Sequence, residues 1–354
     1  MLTGHGDDLY LYNHVRLNFS SNIPAHADIE ELKAFLRQQF DAVSCYPEPE
    51  PFSAEHAIAR QRGVPAECVL MTNGATEAIY LVAQLLRSEH FDFCEIAQPT
   101  FSEYRDACMM AGLPCGDSRA DGGKCAFWLC NPNNPTGGVV AIEEVRRKAA
   151  QYDMLVVDQS YEAYTLEPML SPAEAVRHAN IIQIHSMTKT CAVPGLRIGY
   201  VVAAPQVIAK LRRFVRPWSV NALASLAAEW LADHDFRAVK DMEHYLSEAQ
   251  RLNRELNKID GVRALPTATN FMLCVLERQT AASLKQHLVE KHGILIRDAS
   301  NFAGLDQHYF RVASQTKEEN DELLERMKEM KNEEFAPALG ALTPSAVANS
   351  SLFI

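Results

Sequence analysis

Ser186-Met187-Thr188-Lys189-Thr190-Cys191-Ala192-Val193-Pro194-Gly195-Leu196-Arg197-Ile198-Gly199-Tyr200 is the stretch on which the reading of this chain turns. A lysine stands just past an apolar, β-like run, Ile181-Ile182-Gln183-Ile184. A glycine, an arginine and a second β-like run follow it. A lysine held between two strands, with hydroxyls before it and an arginine after it, suits carbonyl chemistry. The amine forms an imine, and the hydroxyls and guanidinium hold a phosphate. A loop lysine taken alone would be an ordinary solvated side chain, so its surroundings must decide.

Working upstream, strand-like and helix-like runs alternate. Cys68–Thr72 reads as a strand, and Asn73-Gly74-Ala75-Thr76-Glu77 leads from it into an apolar-periodic helix over Ala78–Leu86. Such a turn aims backbone N–H groups, backed by the helix dipole, at a phosphate-sized anion. Asp92–Ala97 is a strand, followed by Phe101 and a helix over Phe101–Met110. Ala126–Cys130 is a strand that runs into the rigid polar loop Asn131-Pro132-Asn133-Asn134-Pro135-Thr136-Gly137-Gly138. A helix over Ile142–Tyr152 and a buried-type strand from Met154 to Val157, ending in Asp158, come next. With Ile181–Ile184 and Ile198–Ala203, the series predicts an α/β domain with a mostly parallel sheet. Before it, Asp28 is placed to cap a helix over Ile29–Phe40, and Ala54–Arg62 reads as a second helix.

Beyond Ala203 helices dominate to about Lys258, including the periodic stretch Phe236–Asn257. Short strands at Phe271–Val275, Ile294–Arg297 and Tyr309–Val312 then intersperse with helices over Ala281–His292 and Lys317–Met330. The expected division is a large domain over 26–235, a smaller α+β domain from 1–25 and 236–334, and a tail over 335–354. A chain of 354 residues is long enough for two domains, and its 47% hydrophobic and 22% charged residues are globular values. The net charge of −11 opposes binding to nucleic acid or an anionic membrane, though not a local cationic pocket. Nine scattered cysteines show no zinc spacing, so no metal is expected and reduced thiols are. There is no apolar run long enough to span a membrane and no signal-like N-terminus, so a cytoplasmic location is expected.

The Asn73–Thr76 turn, Phe101, Asn134, Asp158 and Lys189 fall at strand ends or in the loops beyond them, where open α/β sheets place ligands. Pyridoxal 5'-phosphate (PLP) chemistry uses each type: a lysine for the imine, a carboxylate for the pyridinium nitrogen, an asparagine and a tyrosine for the phenolate oxygen, an aromatic over the ring, and N–H groups with an arginine for the phosphate. The set Asn131-Pro132-Asn133-Asn134-Pro135-Thr136-Gly137, then Asp158 with Tyr161, then Ser186-x-Thr188-Lys189 and Gly195-Leu196-Arg197-x-Gly199 resembles the fold-type I PLP-dependent aminotransferases, over nearly the whole chain to about Met330.

The resemblance implies the PLP-dependent transferase fold and a role for each matching residue. Lys189 is the Schiff-base lysine, Asp158 partners the pyridine nitrogen, and Asn134 and Tyr161 bind the phenolate oxygen. Phe101 stacks on the ring. The turn residues Gly74, Ala75 and Thr76, with Ser186, Thr188 and Arg197, bind the phosphate. Tyr46, in the loop Tyr46-Pro47-Glu48-Pro49, matches a family tyrosine that reaches the phosphate across a homodimer interface.

Two subfamilies fit the short chain: threonine-phosphate decarboxylase of cobalamin biosynthesis and histidinol-phosphate aminotransferase. The stretches His5-Gly6-Asp7, Asn18-Phe19-Ser20-Ser21-Asn22-Ile23, Ala192-Val193-Pro194-Gly195 and Leu295-Ile296-Arg297-Asp298-Ala299-Ser300-Asn301-Phe302 look more like the decarboxylase. The implied substrate is a small phosphorylated amino acid. Arg311 matches the family's carboxylate-binding arginine, and Arg297, His5 and Asn22 are further substrate candidates. Two departures stand out: Gln159-Ser160 after Asp158 where Glu-Ala is usual, and Ser314-Gln315 where an arginine often follows Arg311. A PLP-binding transcriptional regulator is disfavoured, because no helix-turn-helix precedes residue 25.

Overall fold

The computed structural model describes residues 8–118 and 122–329. In chain order the strands are β1 (Leu17–Asn18), β2 (Val69–Asn73), β3 (Phe93–Ile96), β4 (Cys115–Gly116), β5 (Cys125–Cys130), β6 (Met154–Asp158), β7 (Ile181–Ser186), β8 (Ile198–Ala203), β9 (Val262–Ala264), β10 (Phe271–Leu276), β11 (Ile294–Leu295), β12 (Arg297–Asp298) and β13 (Tyr309–Ala313). The helices are α1 (Glu30–Gln38), α2 (Phe52–Arg62), α3 (Gly74–Ser88), α4 (Glu103–Met110), α5 (Ile142–Gln151), α6 (Pro172–Ala175), α7 (Met187–Thr190), α8 (Pro205–Leu211), α9 (Ala222–Asp233), α10 (Met242–Leu256), α11 (Ala281–His292) and α12 (Lys317–Glu329).

The larger compact unit comprises His26–Asn133 and Val140–Met242. Its seven-stranded sheet has the order β2-β8-β7-β6-β5-β3-β4. All neighbours pair in parallel except β8, which runs antiparallel to both β2 and β7. Alternate residues of the central strands feed two cores, as the two-residue period of a strand requires. Trp128, Val156, Ile182, Ile184 and Val201 pack under α3, α4 and α8. Phe127, Leu129, Leu155, Val157 and Ile181 face Val145 of α5 and Ala175 of α6. Both faces are covered, which is why these strands read as nearly continuous apolar runs.

The smaller unit comprises residues 1–25, Asn134–Val139 and 243–354, of which only the described residues are considered. It holds the antiparallel sheet β12-β13-β10-β9 and the parallel pair β1–β11. Leu252, Met272, Ile294, Phe310 and Leu323 are among the residues of its core, beneath α10, α11 and α12.

Several element boundaries differ from the sequence reading. The division falls after Met242 rather than at 235, and Asn134–Val139 goes with the smaller unit. Residues 236–241 are not helical. Phe236 and Ala238 are tied instead to Leu231 and Thr190 by backbone hydrogen bonds of 3.0 and 2.9 Å. The run Ile294–Arg297 is two strands, because β11 pairs with β1 while β12 pairs with β13. Asp28 is not the cap of α1, although its carboxylate accepts from the Glu30 N–H at 3.3 Å. The 335–354 tail lies outside the described residues.

Candidate active site

In the larger unit the site residues gather where β2, β6 and β7 end. Asp158 closes β6 and is buried. Its Oδ1 accepts the Ser160 N–H at 2.9 Å, and its Oδ2 accepts the Tyr104 hydroxyl at 2.8 Å. Burial pushes its pKa up, and the Ser160 and Tyr104 hydrogen bonds pull it back. Both donors are neutral, so the carboxylate is held in place without its charge being balanced. That environment favours a cationic partner. The substitution of Gln159-Ser160 for the usual pair is structurally absorbed: Ser160 turns its N–H to Asp158, and Gln159 Oε1 accepts from Gln183 Nε2 at 2.8 Å.

Lys189 lies in α7, directly beyond β7. Its carbonyl accepts the Tyr164 hydroxyl at 2.5 Å, and its Nζ stands 5.7 Å from the centre of the Tyr161 ring. Ser186 and Thr188 are buried on either side of Met187, and the Thr188 hydroxyl is fully buried with no hydrogen-bond partner. A buried hydroxyl left unpaired is unfavourable unless a ligand takes it up.

The first turn of α3 begins at Gly74 itself, because the Glu77 carboxylate reaches back to the Asn73 N–H at 2.6 Å. The Arg197 guanidinium lies against this turn: a Cβ on Gly74 would sit 2.6 Å from its Nη2. A Cβ on Gly199 would sit 2.3 Å from the Ala75 nitrogen. Thr76 and Arg197 both line an open cleft of about 460 Å³. The missing side chains at Gly74 and Gly199 let Arg197 and β8 approach the first turn of α3, so that helix amides, the Thr76 hydroxyl and a guanidinium stand together as an anion cradle. Phe101 precedes α4 and meets Tyr104 edge-on, with ring centres 5.8 Å apart. Tyr46 is exposed and packs against Trp218 at 5.3 Å.

In the smaller unit, Arg297 and Arg311 are opposed across the β12–β13 pair, and both are buried. Arg311 Nη1 donates to Asn134 Oδ1, and its Nη2 donates to the Ser20 carbonyl at 2.6 Å. Arg297 Nη2 donates to Asn301 Oδ1 at 2.7 Å, and burial pulls its pKa down against the pull of Asp8 and Asp298. Asn22 is buried, with its carbonyl receiving Asn270 Nδ2 at 3.4 Å. Ser314 and Gln315 are used internally. Ser314 Oγ accepts from Asn320 at 2.9 Å, and Gln315 Oε1 accepts from the Ala25 N–H at 3.0 Å. His5 lies outside the described residues.

An aromatic cofactor with a protonatable ring nitrogen and a phosphate fits these observations: an uncompensated buried carboxylate, an orphaned hydroxyl and a helix N-terminus set against a guanidinium. The class I and II aminotransferase model matches residues 15–327. The chain belongs to that family. Its cofactor is PLP. A threonine-phosphate decarboxylase of Salmonella typhimurium is 32% identical over 339 residues, covering 88% of this chain and 90% of that protein. The crystal structure of L-threonine-O-3-phosphate decarboxylase from Porphyromonas gingivalis superposes with a TM-score of 0.84 at 32% identity, over 89% of this chain and 99% of that one. Histidinol-phosphate aminotransferase from Sinorhizobium meliloti, solved with PLP, shares the fold with a TM-score of 0.77 at 19% identity, over 89% and 90% of the two chains.

Sequence reasoning missed three contributors. Tyr104 reads as a core aromatic on a short helix, with nothing to tie it to Asp158. Gly199 stands in the motif, but that it lets β8 close on the Ala75 nitrogen is visible only in the structure. The part-buried pair Arg62–Glu162, with buried His185 Nδ1 3.0 Å from Glu162, joins residues far apart in the chain.

Proposed function

We propose that the chain is a PLP-dependent decarboxylase of L-threonine O-3-phosphate, releasing CO2 and forming aminopropanol phosphate for cobalamin biosynthesis. The observation that carries this reading is the register of Arg297 against Arg311. Directly opposed residues of an antiparallel pair project from the same face. Two buried arginines on one face of a sheet suit a ligand that carries two anionic groups. A phosphorylated amino acid brings a carboxylate for Arg311 and a phosphate for Arg297, with Asn22 and His5 as further contacts.

When bound, PLP supplies a pyridinium that accepts the electron pair left as a bond at the substrate Cα breaks. Asp158 holds the proton on the ring nitrogen, and Tyr104 and Ser160 hold Asp158. Lys189 Nζ would hold the cofactor at its carbonyl carbon and would be the group that hands a proton to the substrate Cα. Arg197, Ser186, Thr188 and the amides at Gly74, Ala75 and Thr76 receive the phosphate. Asn134, whose Oδ1 serves Arg311, has its amide N–H2 for the phenolate oxygen, together with the Tyr161 hydroxyl. Phe101 covers one face of the ring. Tyr46, exposed on this chain, is assigned to the neighbouring site of a homodimer.

An aminotransferase of the histidinol-phosphate or aromatic type is the second reading. Histidinol phosphate has no carboxylate, but its partner 2-oxoglutarate has two, so the same arginine pair would serve. Products distinguish the two. Purified enzyme with PLP and threonine phosphate should release CO2 and form aminopropanol phosphate without an oxo acid. Conversion of histidinol phosphate driven by 2-oxoglutarate, with no CO2 from threonine phosphate, would sink the decarboxylase assignment.

A further inference from the structure

Asp158 and Tyr161 stand on one short connection, which continues into the turn Glu162–Tyr164. The Glu162 carboxylate, next to Tyr161 in the chain, is committed to a different set of partners. Its Oε1 receives Arg62 Nη2 from the end of α2 and lies 3.0 Å from His185 Nδ1 on β7. Its Oε2 accepts from Gln159 Nε2 at 3.4 Å. Arg62 Nε donates to the Tyr200 hydroxyl at 2.7 Å, and Arg62 Nη2 lies 3.0 Å from His185 Nδ1. His185 opposes Tyr200 across β7 and β8, and the two rings stack with centres 4.9 Å apart. Ile184, one residue earlier on β7, packs with Val82 of α3, whereas Tyr200 packs with Ile58 of α2 and Ala227 of α9. The network therefore lies on the sheet face opposite α3, while its turn and its strand lead to Tyr161 and Lys189. We propose that Glu162 and His185 are positioning residues that hold the Tyr161 hydroxyl at the cofactor's phenolate oxygen, an inference that rests on the role given to Tyr161 above.

The identity of residue 185 supports the role. His185 is buried, and its Nε2 has no hydrogen-bond partner among the described residues. A ring with one orphaned nitrogen is a costly core residue. Phenylalanine would keep the stack on Tyr200 without the orphan. What histidine adds is the Nδ1 contact with Glu162, which ties the turn after β6 to the strand that runs into Lys189. Tyr161 is joined to Glu162 by one peptide bond, so a carboxylate fixed by α2 and β7 restricts where the Tyr161 ring can stand. That ring is faced by Lys189 Nζ at 5.7 Å and by the Tyr164 ring at 6.4 Å. A hydroxyl that donates to the phenolate oxygen favours its charged form, and so lowers the pH at which the lysine-linked cofactor gives up its proton. A hydroxyl that swings away from that oxygen raises this pH, by about one unit for each tenfold loss of preference.

The test titrates the visible absorbance of the holoenzyme against pH and compares midpoints. Tyr161→Phe should raise the midpoint by about one unit. His185→Phe keeps the stack on Tyr200. It also changes no charge, because burial and the Arg62 charge, against Asp158, pull the His185 pKa well below its ordinary value. It should raise the midpoint by roughly half a unit to one unit while thermal melting shows no loss of stability. Glu162→Gln should move the midpoint in the same direction. Loss of a nearby negative charge alone would lower it, so the sign separates positioning from a direct effect of the carboxylate's charge. Added to Tyr161→Phe, neither substitution should shift the midpoint further, because both act through the Tyr161 hydroxyl. A midpoint that stays put in His185→Phe, falls in Glu162→Gln, or shifts again in either double variant would overturn the positioning role. If Tyr161→Phe itself leaves the midpoint unmoved, the phenolate contact is misassigned and the inference falls with it. Should Glu162→Gln fold poorly, His185→Phe alone carries the decision.

Discussion

Replacing Tyr104 with Phe isolates one hydrogen bond to the carboxylate beneath the cofactor site. The ring keeps its stack on Trp128, at 5.3 Å between centres, and its edge contact with Phe101, so only the hydroxyl is lost. Burial, then the Asp158 charge, pushes the Tyr104 pKa well above its ordinary value, so it remains a donor at every accessible pH. A bond from a neutral donor to a charged acceptor contributes roughly 1.5–3 kcal/mol, and to a neutral one about 1 kcal/mol. In the cofactor-free protein the folded pKa of Asp158 is raised above its unfolded value. Between those two values the native state binds more protons than the unfolded chain, so stability falls as pH rises through the window. Losing the Tyr104 donation raises the folded pKa further and widens that window. The deficit of Tyr104→Phe against the parent should therefore grow from about 1 kcal/mol below the unfolded carboxyl pKa to about 2–3 kcal/mol above the folded one. The larger figure is roughly a 30- to 150-fold change in the folding constant. Urea unfolding of both cofactor-free proteins across the pH range measures it. A deficit that does not vary with pH would refute the view that this hydrogen bond favours the charged form of Asp158.

Gly199→Ala places a methyl 2.3 Å from the Ala75 nitrogen and should weaken cofactor binding at least tenfold, read by equilibrium dialysis of PLP, with a stability loss of about 1–3 kcal/mol by thermal melting. Lys189→Ala should abolish the visible absorbance of the lysine-linked cofactor; an unchanged spectrum would mean the wrong lysine is assigned. Arg311→Lys removes the two-pronged donor and should raise KM for the amino acid substrate roughly 10- to 100-fold, more than it lowers kcat, in steady-state kinetics. Glu55→Ala removes the carboxylate that meets Arg212 at 2.5 Å while Glu50 stays at 2.7 Å, and should lower unfolding free energy by about 1–3 kcal/mol in urea titration.

The strands of the large unit were legible because their burial on both faces leaves little freedom of composition: the Met154 to Asp158 and Ile198 to Ala203 runs end where the structure ends them. The start of α3 was not, since helix-breaking Gly74 reads as turn and only the return contact of Glu77 to Asn73 shows that the turn is already helix. Residues 236–241 carry a helical apolar spacing, but their backbone and side chains are committed to the segment around Thr190 and Cys191, and tertiary contacts outweigh the spacing. The cofactor residues could be read from motif and position. Their supports could not, because Tyr104 and Asp158 lie 54 residues apart, and no local pattern encodes the 2.8 Å contact.

Arg197 has a left-handed backbone, φ 59°, which a residue with a side chain adopts at a cost of about 1–2 kcal/mol. Glycine would relieve it. Yet the guanidinium is what that conformation delivers to the first turn of α3. At this position folding and binding therefore select in opposite directions. A screen for heat tolerance alone would accept glycine here and discard the anion cradle, whereas a screen for cofactor retention would restore arginine together with its strain. Position 197 is thus a trade-off written into one dihedral angle. Residues whose strain serves a ligand rather than the fold are the ones that stability-led redesign of this chain should leave untouched.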